Sequence, residues 1–155
     1  MPKKINIADA PEGSGTRYPP PFNKPCTDRR WRRLGDAAGL TQFGVNVVTL
    51  RPGVWSSQRH WHSHEDEFVY LLEGELVLVT EAGEETLGPG DSAGFKAGVP
   101  DGHCLQNRSD RDAKFLCVGS RVAEDYGEYP DIDLKFTAGR YSGGGGFVRK
   151  DGTPY

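Results

Sequence analysis

Arg59-His60-Trp61-His62-Ser63-His64-Glu65-Asp66-Glu67 (RHWHSHEDE) holds three of the four histidines of this 155-residue chain. On a β-strand the side chains at i and i+2 share a face, whereas on a helix they diverge. An extended segment therefore aims His60 and His62 at one point. A helical zinc site needs histidines at i and i+4 with a glutamate between them. His60 and His64 flank His62 and Ser63 instead, which rejects that reading. A further ligand is expected nearby, and Glu65, Asp66 and Glu67 all offer carboxylate oxygens. Glu67 is preferred because it opens the apolar run Phe68 to Leu72, whose backbone would hold it rigidly while Ser63 to Asp66 form the bend. His64 shares the alternation only if the strand continues through that bend. The remaining histidine, His103, lies in HCLQN after the turn AGVPDG, where closure of the sheets can bring it beside the first pair.

Around this stretch the chain alternates short apolar runs with turn residues. VNVVTL, EFVYLL, ELVLVT, SAGFK, HCLQN and KFLCV read as strands; RPG, EGE, EAGEE, GPGD and NRSDRD read as the turns between them. No 3.6-residue apolar period lasts long enough for a central helix, so an antiparallel sandwich or barrel is expected. Phe68-Val69-Tyr70-Leu71-Leu72 is apolar on both faces, which implies cover on both sides by a second sheet, the N-terminal arm or another subunit.

The ends differ from the middle. Gly13-Ser14-Gly15 and Pro19-Pro20-Pro21 argue for an extended N-terminal arm ordered by docking, with Trp31, Phe43 and Tyr141 as anchors for arm and tail. Arg29-Arg30-Trp31-Arg32-Arg33 reads as a solvated edge or an intersubunit contact. Gly143 to Gly146 lack the flanking strand and the Lys-Ser/Thr that a phosphate-cradling loop requires, and read as a turn. A net charge of −3 gives no electrostatic support to nucleic-acid or anionic-membrane binding, and no helix-turn-helix pattern accompanies the strands. No apolar run approaches the roughly 18 residues of a membrane span, and MPKKINIADAPEG lacks the apolar stretch of a signal peptide, so the expected compartment is the cytoplasm. Cys26, Cys104 and Cys117, odd in number and widely spaced, read as reduced and mostly buried thiols.

Gly53, His60, His62, Glu67 and Gly74 match the pattern Gly-x5-His-x-His-x3,4-Glu-x6-Gly with one extra residue before the first histidine. Gly90, Gly98, His103 and Asn107 match Gly-x5-Pro-x-Gly-x2-His-x3-Asn more loosely, with Lys96 in place of the proline and two extra residues before the histidine. In these motifs the chain resembles the cupin superfamily, closest to small bacterial single-domain members. The resemblance implies an all-β double-stranded β-helix, the cupin jelly-roll barrel, with an extended N-terminal arm and a C-terminal tail. One domain over residues 1–155 is expected: a barrel core at about 44–120, the arm and first strands at 1–43, and a C-terminal extension at 121–155. It also implies His60, His62, Glu67 and His103 as ligands of one divalent ion per chain, for which Fe, Mn, Ni, Zn and Cu all suit the donor set. Lys96 leaves the ligands untouched but departs from the usual turn before His103. Cupins include sugar and sugar-phosphate isomerases, dioxygenases, decarboxylases, lyases and members that only bind ligands, and many are homodimers. The preferred expectation is a metal-dependent enzyme on a small oxygenated metabolite, a sugar or sugar-phosphate isomerase, with the general base unassigned. A metal-dependent dioxygenase or decarboxylase, or a non-catalytic ligand-binding cupin, are the alternatives.

Overall fold

Frequent turn residues cut the described residues into thirteen short strands. The computed structural model describes residues 4–155; Met1, Pro2 and Lys3 of the expected arm lie outside the described residues. In chain order the first strands are β1 (Glu12–Ser14), β2 (Arg30–Arg33), β3 (Phe43–Leu50), β4 (Trp61–His62) and β5 (Glu67–Glu73). There follow β6 (Leu76–Thr80), β7 (Gly83–Leu87), β8 (Ser92–Phe95), β9 (Cys104–Gln106) and β10 (Ala113–Ser120). The C-terminal region adds β11 (Gly127–Tyr129), β12 (Leu134–Phe136) and β13 (Phe147–Val148). A single helical turn, α1 (Leu34–Ala37), follows β2.

One sheet runs β1-β2-β3-β10-β5-β8, with every pair antiparallel. The other side of the barrel is built from β13-β12-β11-β4 and β7-β6-β9, stitched together by backbone bridges between His60 and His103 and between Trp55 and Gln106. Alternation decides what enters the core. Val48 and Leu50 of β3, Val69 and Leu71 of β5 and Phe115 of β10 meet Leu76, Leu78, Leu87 and Leu105 from the opposite sheet in one buried cluster. The double-stranded β-helix expected of the motifs is the observed architecture.

The strand readings from Val45 to Val118 hold, and the tight turn after β5 depends on Gly74. Its φ of +82° is left-handed, and a Cβ there would lie 2.6 Å from the carbonyl oxygen of Asp112. Three expectations need correction. EAGEE does not stay a turn, because its Gly83, Glu84 and Glu85 pair with β6 in β7. RRWRR is not a sheet edge, since β2 lies between β1 and β3 and Trp31 packs against the core over the bare backbone of Gly13, although Arg30 and Arg33 are solvated as expected. Phe43 is no anchor, being 39% exposed.

The arm docks on its own barrel. Tyr18 and Cys26 from the arm join Tyr129, Leu134 and Phe136 from the tail in a second buried cluster, with Phe22, Trp55 and Phe147 against it. Cys26, Cys104 and Cys117 are all free; the first two are buried, and burial pushes both thiols up to about 11. No helix among the described residues is long and apolar enough to cross a membrane.

Candidate metal centre

His62 leaves β4, Glu67 opens β5, and His60 and His103 face each other across the seam between the two halves of the second sheet. Reciprocal backbone bonds fix that seam, His60 N donating to His103 O at 3.2 Å and His103 N to His60 O at 2.9 Å. Cross-strand partners share a face, so the bridge carries both imidazoles inward. Ligand atoms of His60, His62 and Glu67 lie within 4.8 Å of one another. His103 joins through Glu67, its Nε2 being 3.1 Å from Glu67 Oε2, while its ring stacks on Phe95 at 3.6 Å.

The hydrogen bonds behind the rings set their tautomers. His60 Nδ1 lies 2.9 Å from the carbonyl oxygen of Gln58, and His62 Nδ1 lies 2.8 Å from Asp125 Oδ2. Both partners accept, so each neutral ring carries its proton on Nδ1 and presents a bare Nε2 inward. The two Nε2 atoms face each other at 3.1 Å. Two lone pairs at that separation repel unless a cation lies between them. Two metal–nitrogen bonds of about 2.1 Å meeting near a right angle span about 3 Å, so this donor set fits a divalent transition metal.

Charge at the cluster follows from burial and pairing. Burial, reinforced by the imidazoles of His103 and His62, pushes His60 down to about 3, which keeps it a neutral donor at physiological pH. Burial alone would raise Glu67, but the hydrogen bond with His103 and the flanking imidazoles outweigh it and hold the carboxyl well below its usual range. Burial and the Glu67 carboxylate push the Cys117 thiol far up, so it stays protonated and donates to Glu67 Oε1 at 3.2 Å.

Behind His62 lies a buried ionic network that the sequence did not announce. Asp125 is 1% exposed and also accepts from the His64 amide at 2.9 Å and from Arg140 Nη2 at 2.9 Å. Arg140 reaches Glu65 Oε2 at 2.5 Å, and the Tyr141 hydroxyl donates to Glu65 Oε1 at 2.6 Å. His62, Glu65 and Asp125 also come within 4.8 Å of one another, but the Arg140 guanidinium already bridges the two carboxylates and offsets one of their two charges. Burial would raise Asp125, yet the hydrogen bonds from His62 and the His64 amide keep it below its ordinary value.

The cluster opens into a cavity of about 800 Å³ whose wall includes Phe95, Phe115, Phe136, Tyr141 and Asn46. That volume lies within the roughly 300–1,000 Å³ of small-molecule sites.

Of the four expected ligands, His60, His62 and Glu67 are therefore grouped and His103 adjoins them through Glu67. His64 is not among them: its ring is exposed and its Nδ1 lies 2.7 Å from Ser63 Oγ. Lys96 is exposed, at a smaller recess beside Trp61 and Val99. Glu65, read as a turn residue, is 6% exposed and holds the tail in place. Asp125 and Arg140 were missed, while Tyr141, expected as an anchor of the tail, is tied to Glu65 through its hydroxyl. One acid among several in AEDYGEYPDID carries no local mark that it will sit behind His62.

A closed antiparallel barrel with inward histidines and a glutamate defines the class, a β-barrel protein with a candidate metal centre facing a small-molecule cavity. The Cupin domain family model matches residues 46–119. A sugar phosphate isomerase of the cupin superfamily from Silicibacter pomeroyi is 44% identical over 99% of this chain and 96% of that one, with a TM-score of 0.93. A putative sugar phosphate isomerase from Acidithiobacillus ferrooxidans is 28% identical over 83% of this chain and 80% of that one, with a TM-score of 0.74. A polyketide cyclase from Streptomyces resistomycificus, 22% identical over 77% of this chain and 80% of that one, shares the fold with a TM-score of 0.63. No curated protein matches the chain. The chain belongs to the cupin superfamily.

Proposed function

We propose that this cupin is a divalent-metal-dependent isomerase of a sugar or sugar phosphate. The observation that carries the reading is the pair of inward Nε2 atoms of His60 and His62, 3.1 Å apart beside Glu67 at the wall of a cavity sized for a small metabolite. The similarity to the Silicibacter pomeroyi isomerase, which extends over 99% of the chain, supports the choice of reaction.

His60, His62, Glu67 and His103 would hold the ion. Bound there, a divalent metal supplies Lewis acidity toward adjacent substrate oxygens, acidifying the C–H next to a carbonyl. The protein's part is to keep the donors rigid and correctly protonated. Gln58 O and Asp125 orient the two imidazoles, Phe95 stacks on His103, and the Cys117 thiol holds one oxygen of Glu67. The aromatic wall of Phe95, Phe115 and Phe136 limits water beside the reacting carbons.

Metal analysis of untagged protein is expected to give about one divalent ion per chain, and His62→Ala and His103→Ala are each expected to lose it. Unchanged metal content in both variants would sink the ligand assignment. Metal-loaded protein is expected to interconvert an aldose or ketose, free or phosphorylated, without oxygen. Oxygen consumption or carbon dioxide release would transfer the reading to a dioxygenase or decarboxylase, and tight ligand binding without product to a non-catalytic cupin.

The assembly we infer is a homodimer. Phe68, Tyr70 and Leu72 on the outer face of β5 are 43%, 39% and 41% exposed, and Leu116 and Val118 of β10 lie opposite Tyr70 and Phe68. An apolar sheet face of this kind is suited to self-complementary burial about a two-fold axis.

A further inference from the structure

We propose that Arg17, Arg29 and Arg33 form a subsite for the phosphate group of a phosphorylated substrate, in the same cavity as the histidine cluster; this deepens the sugar or sugar-phosphate reading and rests on it. The run Arg29-Arg30-Trp31-Arg32-Arg33 becomes informative once β2 is known to be a strand. Trp31 pairs with Val48 of the core and Arg33 with Asn46 of the cavity wall, so alternation puts Trp31 and Arg33, with Arg29 just before the strand, on the side that borders the cavity; Arg29 is half-buried there, whereas Arg33 and Arg17 are exposed at its rim. Arg30 and Arg32 face out, where Arg32 is tied to Glu12 and to the carbonyls of Ala8 and Ala10.

Arg29 and Arg33 are positioned but not neutralised. Their guanidinium carbons lie 5.0 Å (Arg29) and 5.7 Å (Arg33) from the centre of the Trp31 ring, within the range of cation–π attraction. Arg29 donates from Nη1 to Ser56 O, and its Nε is buried without a partner. Among the described residues, no carboxylate lies within ion-pair distance of Arg17, Arg29 or Arg33, although all three line the cavity with Ser14 and Thr16. The other arginines of the cavity are engaged, Arg121 with Asp36 at 2.6 Å and Arg140 with Glu65 and Asp125.

Unpaired cations on a concave, partly apolar wall raise the local potential and favour an entering anion. Guanidinium groups match the geometry of phosphate oxygens, which they bind in pairs of hydrogen bonds. The Thr16 hydroxyl accepts from the Tyr18 amide at 3.1 Å, which leaves its own hydrogen free to donate into the cavity. The distance to the metal cluster also suits. Arg33, Asn46 and Cys117 lie in one row across β2, β3 and β10, and Cys117 contacts Glu67. Two strand spacings of about 4.8 Å make a separation that a small sugar spans with its carbonyl end at the cluster and its ester at the arginines.

The test is calorimetric titration of inorganic phosphate into the full-length protein, metal-free and metal-loaded, with acetate as a second probe. Arg17→Gln and Arg33→Gln are each expected to weaken phosphate at least tenfold in both forms, with metal content and the unfolding temperature close to the parent. Arg33→Lys, which keeps the charge but not the fork, is expected to recover part of the affinity. Failure of the parent protein to bind phosphate, equal binding by the Gln variants, or acetate binding as tightly as phosphate would each overturn the subsite. Arginine-dependent phosphate binding without turnover of any aldose or ketose phosphate would uphold the subsite and sink the isomerase reading alone.

Discussion

Two imidazoles that each spend their Nδ1 proton on a fixed acceptor have only Nε2 left to offer, and in this barrel both Nε2 atoms point at one spot. For His62 the acceptor is Asp125, at 2.8 Å. Asp125→Asn keeps the shape but loses the charge that sets the tautomer, so metal affinity is expected to fall about 10–100-fold. Competition with a fluorescent chelator checks it, and unchanged affinity would remove Asp125 from the site. His60 gives a pH dependence. Its pKa is about 3 in the folded protein, against an ordinary value near 6.5, so between these values the unfolded chain binds more protons than the folded one. The contribution of His60 is complete above pH 6.5 and is lost as pH falls toward 3. At pH 5.5 the loss is about 1.4 kcal/mol. Glu67 and Asp125, held below their ordinary values, act in the same direction at lower pH. The metal-free protein should therefore melt progressively lower from pH 7.5 to pH 5, and a flat profile would contradict a neutral buried His60.

At the scale of elements, the tail strands supply the second layer of the site, and close approach sets their position. A Cβ on Gly127 of β11 would collide with the Trp61 carbonyl oxygen and the Phe136 ring, so Gly127 is what lets β11 lie against β4. Gly127→Ala is expected to cost about 1–3 kcal/mol in urea unfolding and to weaken metal binding as well, because it displaces the segment carrying Asp125. A neutral effect on both would place β11 farther from β4 than the present packing. These elements also mark where sequence pattern stops being informative. β3, β5, β6 and β10 were legible because apolar runs between turn residues leave few alternatives. β11, β12 and β13 have two or three residues each and form only because the second core, Tyr18, Cys26, Tyr129, Leu134 and Phe136, gives them something to pack on, and the three-residue β1 rests on Trp31 of β2.

For the whole molecule, one apolar sheet face remains uncovered by the chain's own arm and tail. Phe68→Glu places a charge at its centre and is expected to convert a dimer to a monomer in analytical ultracentrifugation, without loss of bound metal. A parent protein that is already monomeric at micromolar concentration would remove the dimer. The sequence by itself determined the β architecture, from strand-length apolar runs and their turn residues. It also singled out His60 and His62 through two-residue alternation, and Glu67 through its place at the head of a strand. His103 was legible only as a candidate, since nothing local says which strand will lie beside β4. What the tertiary structure alone decided was the bridge joining His60 to His103, the placement of Asp125 and Arg140 behind the site, and the placing of Arg29 and Arg33 along the cavity. Each of these depends on which strand lies beside which and on their register. That is set by the sum of core contacts over the whole barrel, so no local spacing encodes it.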